Sequence, residues 1–181
     1  MNFVKCIFIA SLFSFALNFS YAQQKKPLAE PGKIENLKAQ ADSMGNAFVL
    51  SDYKTVTKFT YQPIVKAMGG ASSMEKFLAG SAEDLKDQGM TFNKVTFGEP
   101  GKILKSGKEL QSTIQQSLEI KLRRGRLVTT STLLAFSSDN GYSWTFLDTS
   151  NKSMKMLRKS FPNLSPEINI PAQEKPVRYD D

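Results

Sequence analysis

The sequence predicts an α+β fold in which N-terminal helices pack on a curved antiparallel β-meander. Up to Gly89, apolar residues recur at steps of three and four, as in helices that bury one face. After Gly89 they alternate with polar residues, as in strands. Short polar turns containing glycine separate the alternating segments, which is typical of hairpins. Helices followed by a separate run of strands place the chain in the α+β class.

The first 22 residues have the pattern of a secretory signal peptide. Lys5 precedes the apolar run CIFIASLFSFALNF, and Ser20-Tyr21-Ala22 forms a small-x-small cleavage site. The apolar run is too short for a comfortable membrane span, and no later stretch is longer. We therefore expect an exported protein, periplasmic or secreted, with no membrane span after signal removal. Residues 23–33 contain two prolines and are predicted to be a flexible leader.

Apolar stripes predict the helices of the first half of the chain. Asp52 offers an N-cap for a second helix, Pro63 breaks or restarts that helix, and Gly69-Gly70 is a stop signal. Ser72 to Glu75 fits a capping box for a further helix that should end near Gly89. The first helix is predicted from the stripe formed by Ile34, Leu37, Ala41, Met44 and Phe48.

The second half reads as strands. Short strands are predicted over residues 93–97 and 102–105, and long ones over 110–122 and 126–137. A two-residue turn at Arg124-Gly125 and a second turn over residues 138–141 make a three-stranded meander.

The sequence thus predicts a single domain over residues 34–164, with a helical turn within 152–159. Residues 165–181 contain three prolines and are predicted to be a tail that is not a central strand and whose last residues are disordered. We expect the chain end to wrap the domain surface through Phe161, Leu164, Ile168 and Ile170.

The segment Ser137 to Trp144 reads SSDNGYSW and fits the pattern Ser-x-Asp-x-Gly-x-Ser/Thr-Trp. It resembles the Asp-box turn found between strands of sialidase-type propeller blades. In such a turn Asp139 accepts backbone N–H bonds, Gly141 supplies a positive φ, and Trp144 buries its ring beneath the loop. All three roles are structural. A propeller needs repeated blades, and this chain has one such turn.

The order of helices followed by an antiparallel meander, with the Asp52-Tyr53 start and the Gly69-Gly70 stop, resembles the nuclear transport factor 2-like, or SnoaL-like, superfamily. The resemblance covers residues 34–149 and includes no catalytic motif of that superfamily. It implies a cone-shaped domain whose helices close over the concave face of the sheet. Because that superfamily contains both enzymes and binding domains, the fold does not choose between these functions.

The predicted turns place a polar island, formed by Gln116, Thr129, Ser131 and Asp148, on the apolar face of the meander. They pair Leu122 with Leu127, Ser131 with Leu118, and Asp148 with Ser131. A carboxylate on an apolar face is costly unless it has partners or lies in a pocket. The alternative is that Asp148 lies at a wet strand end and caps the following turn through Ser150. The candidate ligand-binding residues are Tyr53, Tyr61, Gln116, Thr129, Ser131, Trp144, Phe146 and Asp148.

The composition excludes several kinds of chemistry. The chain has no histidine, and its one cysteine, Cys6, lies in the predicted signal peptide. Ser-His-Asp and Cys-His catalysis and the usual zinc sites are therefore excluded, and no metal or cofactor is predicted. The net charge is +7, but the densest basic run, residues 121–126, is interpreted as a solvated hairpin tip rather than a nucleic-acid site.

Two functions remain. The first is a non-catalytic scaffold that holds a small apolar ligand or a protein partner in the cone, with a homodimer also possible. The second is an isomerase, cyclase or hydrolase that uses Asp148 as a general base. The first requires fewer coincidences, because no second acid or oxyanion donor can be located from residue spacing.

Export with cleavage after Ala22 is the first testable expectation. The intact mass of the protein recovered from the extracytoplasmic fraction should correspond to a chain that begins at Gln23. A retained Met1, or recovery from the cytoplasm alone, would contradict it.

Overall fold

We describe residues 29–180 from a computed structural model. The predicted signal peptide and the leader up to residue 28 lie outside this range. No helix within the described residues is long and apolar enough to cross a membrane.

The structure has the α+β architecture that the sequence predicts, with helices against a curled antiparallel sheet. The helices are α1 (Glu30–Val49), α2 (Tyr53–Phe59), α3 (Gln62–Ala67), α4 (Ala71–Asp87) and α5 (Met154–Ser160). The strands are β1 (Thr91–Phe97), β2 (Leu104–Ser106), β3 (Glu109–Lys121), β4 (Arg126–Ser137), β5 (Thr145–Asp148) and β6 (Val177–Tyr179).

The helix boundaries confirm some of the predicted signals and correct others. Asp52 caps α2 by accepting a bond from Thr55 N at 3.1 Å, and Gly69 and Gly70 end α3 with φ of 89° and 96°. The predicted leader is too long, because α1 begins at Glu30 with a proline in its first turn, where the missing N–H costs nothing. The capping box is also wrong: the N-cap of α4 is Gly70, two residues before Ser72, and it makes no side-chain cap.

The sheet is ordered β1-β3-β4-β5, with β2 paired to β3 and β6 paired to β4. Both predicted hairpin registers are off by two residues. Lys121 pairs with Arg126, so the first turn is centred on Arg123 and Arg124 rather than one residue later. Phe136 pairs with Thr145, so the second turn is two residues longer than expected. Because a shift of two keeps every side chain on its face, the predicted faces are correct and the predicted neighbours are not.

Both faces of β4 are buried near its C-terminal end. Leu133 and Ala135 join a core with Trp144, Phe146 and residues of α1. Leu134 and Phe136 point to the other face and join a second core with α5 and the chain end. The continuous apolar run of β4 thus belongs to two cores, one on each side of the sheet.

The C-terminal tail covers the second core, as expected. Leu164 and Ile168 are 5% and 4% exposed, and Phe161 and Ile170 pack against the same cluster. The expected disorder of the last residues is wrong for the part that the structure describes, since β6 pairs with Arg126 to Val128 of β4. The tail therefore ends as an edge strand, a position that tolerates the preceding prolines.

A buried glutamine fixes the tail to the face of β3 that the alternation predicts to be polar. Gln111 is 1% exposed, donates from Nε2 to Asn163 O at 3.0 Å, and accepts from Ser165 N at 2.8 Å. Its amide thus bonds two backbone groups of the chain end: Ser165 N, which is buried, and Asn163 O, which also accepts from Ser106 Oγ at 2.8 Å.

The turn between β4 and β5 has the geometry expected of Asp139, Gly141 and Trp144. Asp139 Oδ1 accepts from Ser143 N at 2.8 Å and from Ser137 Oγ at 2.9 Å. Gly141 has φ of 89°, and the Trp144 ring is 1% exposed with its Nε1 donating to Gly141 O at 3.1 Å. The three predicted structural roles are confirmed.

Side chains of helix α1 bond to the backbone of this turn. Asn36 Nδ2 donates to Gly141 O at 2.6 Å and to Tyr142 O at 2.8 Å. Gln40 Nε2 donates to Tyr142 O, and Gln40 Oε1 accepts from Trp144 N, both at 2.9 Å. These four bonds fix the first helix over the sheet and so define the space between them.

The hydrogen bonds of Asp139 make stability depend on pH. Partial burial raises the pKa of Asp139, but the bonds from Ser143 and Ser137 outweigh it, so the net pKa lies below the ordinary 3.8. The carboxylate therefore contributes stability that is fully present above the unfolded-state pKa and is lost as pH falls through the lower folded-state value.

We expect Asp139→Ala to lower the free energy of unfolding by ~1 to 3 kcal/mol near neutral pH, and the difference from the natural protein to shrink near pH ~2.

Trp144→Ala should lower the free energy of unfolding by ~3 to 5 kcal/mol, because it truncates a large side chain in the core. Denaturant melts measure both, with Asp42→Ala on the exposed side of α1 as the control. Unchanged stability of the Asp139 variant would contradict the role of this turn.

Candidate functional site

A cavity of about 370 Å³ lies between the N-terminal helices and the inner face of the sheet. This is where the sequence predicts a small-molecule site. Most of its walls are apolar. The apolar lining comes from Met44, Phe48, Val56, Ile64, Met74, Leu78, Val95, Leu118, Leu133, Phe146 and Leu147, and the remainder from Gly45, Thr60, Gln116, Asp148 and Lys152.

One wall depends on a close approach of α1 to β1. A Cβ on Gly45 would lie 2.8 Å from the Phe97 ring and 2.9 Å from the Val95 side chain, so only glycine fits here without a shift of these two side chains. One turn further along α1, the Phe48 and Phe92 rings lie 4.5 Å apart at 53°. Helix and strand are thus in contact on this side, and the cavity lies next to that contact.

The link between α2 and α3 bonds to β5 on the opposite side of the cavity. Tyr61 N donates to Phe146 O at 2.8 Å, and Thr60 forms a parallel bridge with Phe146. The Phe146 side chain is 3% exposed and belongs both to the first core and to the cavity wall. The helical layer is therefore attached to the sheet at two places: where α1 bonds to the turn between β4 and β5, and where the residues after α2 bond to β5. The cavity lies between these attachments.

The polar part of the lining is formed by Thr60, Gln116, Asp148 and Lys152. Asp148 is exposed, and its Oδ1 accepts from Ser150 N at 2.8 Å and from Ser150 Oγ at 2.7 Å. Lys152 Nζ donates to Asp148 O at 3.2 Å. Asp148 therefore caps the turn after β5 while bordering the cavity. This confirms the alternative that Asp148 lies at a wet strand end and caps the following turn through Ser150.

Three of the predicted site residues line the cavity: Gln116, Phe146 and Asp148. Trp144 lies in the first core beside it and does not border the empty space. The expected pairing of Asp148 with Ser131 is wrong, because Asp148 pairs with Leu133 and Ser131 pairs with Gln116. Asp148 is thus separated along β4 from the other residues of the polar island.

The other predicted residues lie elsewhere. Thr129 and Ser131 are half-buried further toward the start of β4, and Ser131 borders a different cavity. Tyr53 is half-buried at the first position of α2. Tyr61 stacks on Phe136 at 4.1 Å, in the second core on the far side of the sheet. Burial there, and secondly the charge of Glu109, raises the pKa of Tyr61.

Sequence reasoning missed most of the apolar lining. Met44 and Phe48 lie on the predicted stripe of α1, but a stripe does not show which of its members meet a partner and which border a void. Lys152 lies after the strand, and only the turn geometry brings it to the cavity. No sequence signal distinguishes these residues from ordinary core and surface positions.

No protein-family model, curated protein or solved structure matches this chain. Within residues 29–180 no cluster of three or more acidic, histidine or cysteine side chains is placed to hold a metal ion.

The hydrogen bonds of Asp148 predict its effect on stability. Asp148→Ala removes both bonds from Ser150 and should lower the free energy of unfolding by ~1 kcal/mol, whereas Asp148→Asn retains an acceptor and should lose less. Urea melts of the two variants test this. Equal losses would show that the charge of Asp148, not its acceptor, stabilises the turn.

Proposed function

We propose that this protein is a non-catalytic binding protein that holds a small, mainly apolar molecule in the cavity between α1 to α4 and the inner face of the sheet. The observation that carries the proposal is the cavity itself. Its volume of about 370 Å³ lies in the range of small-molecule sites, and its lining combines many apolar side chains with few polar ones.

The polar residues suggest how the ligand is oriented. Gln116 offers an amide, and Asp148 and Lys152 are both partly engaged by the turn that follows β5. A ligand with an apolar body and one polar group would place that group at these residues and its body against Met44, Phe48 and neighbouring side chains. Because the Asp148 carboxylate already accepts two bonds from Ser150, the geometry supports a role in shaping the site rather than in proton abstraction.

We further propose that the domain is of the cone-shaped, nuclear transport factor 2-like kind and that it acts after export. Support for the fold comes from helices that close over the inner face of a curled antiparallel sheet and leave a cavity there. Support for export comes from the pattern of the first 22 residues.

Binding of the neutral fluorescent probe N-phenyl-1-naphthylamine tests the proposal. We expect saturable binding that Leu118→Trp weakens at least about tenfold, since an indole at this position occupies the cavity. Displacement of the probe then provides a screen for natural ligands.

The matched control is Ser117→Trp, which adds the same side chain to the opposite face of the same strand. It should leave probe affinity within about twofold. Absence of binding to the natural protein, or equal loss in both variants, would contradict the proposal.

A further inference from the structure

A second cavity, also of about 370 Å³, lies beside β4 under the C-terminal tail. The turn at residues 149–154 and tail residues 170–174 form its walls, and residues 130–132 of β4 form its floor. Hydroxyl and amide groups are frequent here, in contrast to the apolar cavity. They include Thr130, Thr132, Thr149, Ser150, Asn151 and Gln173.

The floor of this cavity is an interrupted sheet edge. On one side, β4 pairs with β3 along its whole length. On the other side, β6 covers only Arg126 to Val128 and β5 covers only Leu133 to Phe136. Residues 129–132 therefore lie between two strands that do not meet.

Within this interval, one residue of β4, Thr130, lacks backbone hydrogen bonds to the described residues on the outer edge. Thr132 still has a partner, because its C=O accepts from Thr149 N at 3.2 Å. Alternate residues of a strand direct their N–H and C=O to the same edge, so Thr130 directs both groups to the edge that Thr132 uses. Within residues 29–180 no strand lies opposite Thr130 at that edge, and no backbone hydrogen bond joins Thr130 to the tail.

The outer edge of β3 has a similar interval, and there the chain closes it. Between β1 and β2, Gly98 N donates to Gln115 O at 3.0 Å and Gly101 N donates to Thr113 O at 2.7 Å. The link between those strands thus follows the edge and satisfies it. The tail before β6 instead lines the cavity, where Gln173 Oε1 accepts from Asn151 N at 3.0 Å and ties the tail to the opposite wall.

We propose that this second cavity binds a short extended peptide, one residue of which donates its N–H to Thr130 O and accepts from Thr130 N. A residue in extended conformation presents its own N–H and C=O in the same direction, which is the complement that Thr130 lacks. Peptides commonly bind by adding a strand to a free edge. The open part of the interval, residues 129–131 between Val128 and the bonded Thr132, spans ~10 Å, which fits two to three residues of an extended chain.

Titration of the ¹⁵N-labelled protein with acetyl-Ala-Ala-Ala-amide tests this proposal. We expect a saturable shift of the Thr130 amide resonance. The matched control peptide carries an N-methyl group on its central alanine and so lacks the donor for Thr130 O. Its affinity should be at least about tenfold lower.

Two protein variants locate the site. Ala172→Trp fills the cavity from its tail wall and should abolish the shift of Thr130, whereas Ala79→Trp on exposed α4 should not. Equal affinity for the two peptides, no response of Thr130, or no effect of Ala172→Trp would each overturn the proposal and leave water or the protein's own tail as the occupant. None of these results depends on the apolar cavity, which the N-phenyl-1-naphthylamine experiment tests separately.

Discussion

Burial of the end of β4 on both faces is the constraint on which the rest of the fold depends. Leu133 and Ala135 require the N-terminal helices as cover, and Leu134 and Phe136 require α5 and the tail. Each large apolar side chain buried in this way stabilises the fold by ~1.5 to 3 kcal/mol. Neither cover can be lost without exposing half of this run to water, so the helical half and the chain end are both integral to one domain.

The composition of β4 changes along its length, and the cavities follow that change. Residues 129–132 read TTST and are half-buried, whereas residues 133–137 read LLAFS and are fully buried. Threonine and serine do not require an apolar cover, so the layers need not close on the first part of the strand as tightly as on the second. The second cavity lies directly at the first part, and the apolar cavity borders Leu133, where the two parts meet. One strand thus specifies both the cores and the spaces beside them.

The faces of the sheet could be predicted from the sequence, whereas the neighbours of each residue could not. Side-chain alternation has a period of two, so it fixes whether Asp148 and Phe146 share a face but not whether Asp148 lies opposite Ser131 or Leu133. Register depends on the turns. The turn after β4 is longer than a simple reading gives, because Asp139 accepts from Ser143 N and thereby includes Ser143 in the turn. The cavity could therefore be assigned to the correct side of the sheet, while only three of its lining residues were named.

The tail could be predicted less well, because its position depends on polar contacts that have no signature in a linear sequence. The alternation along β3 indicates a face made of glutamine, threonine and serine, and such a face is usually solvated. Gln111 departs from this because its side-chain amide takes the place of water for Asn163 O and Ser165 N. The sequence does not distinguish a glutamine that bonds water from one that bonds a distant backbone group. From residues 163–165, which Gln111 fixes, the tail crosses the second core and returns to β4. There β6 pairs with the strand only as far as Val128, two residues before the missing hydrogen bonds of Thr130. The opening beside β4 thus lies between the point where the tail rejoins the strand and the point where β5 begins to pair with it.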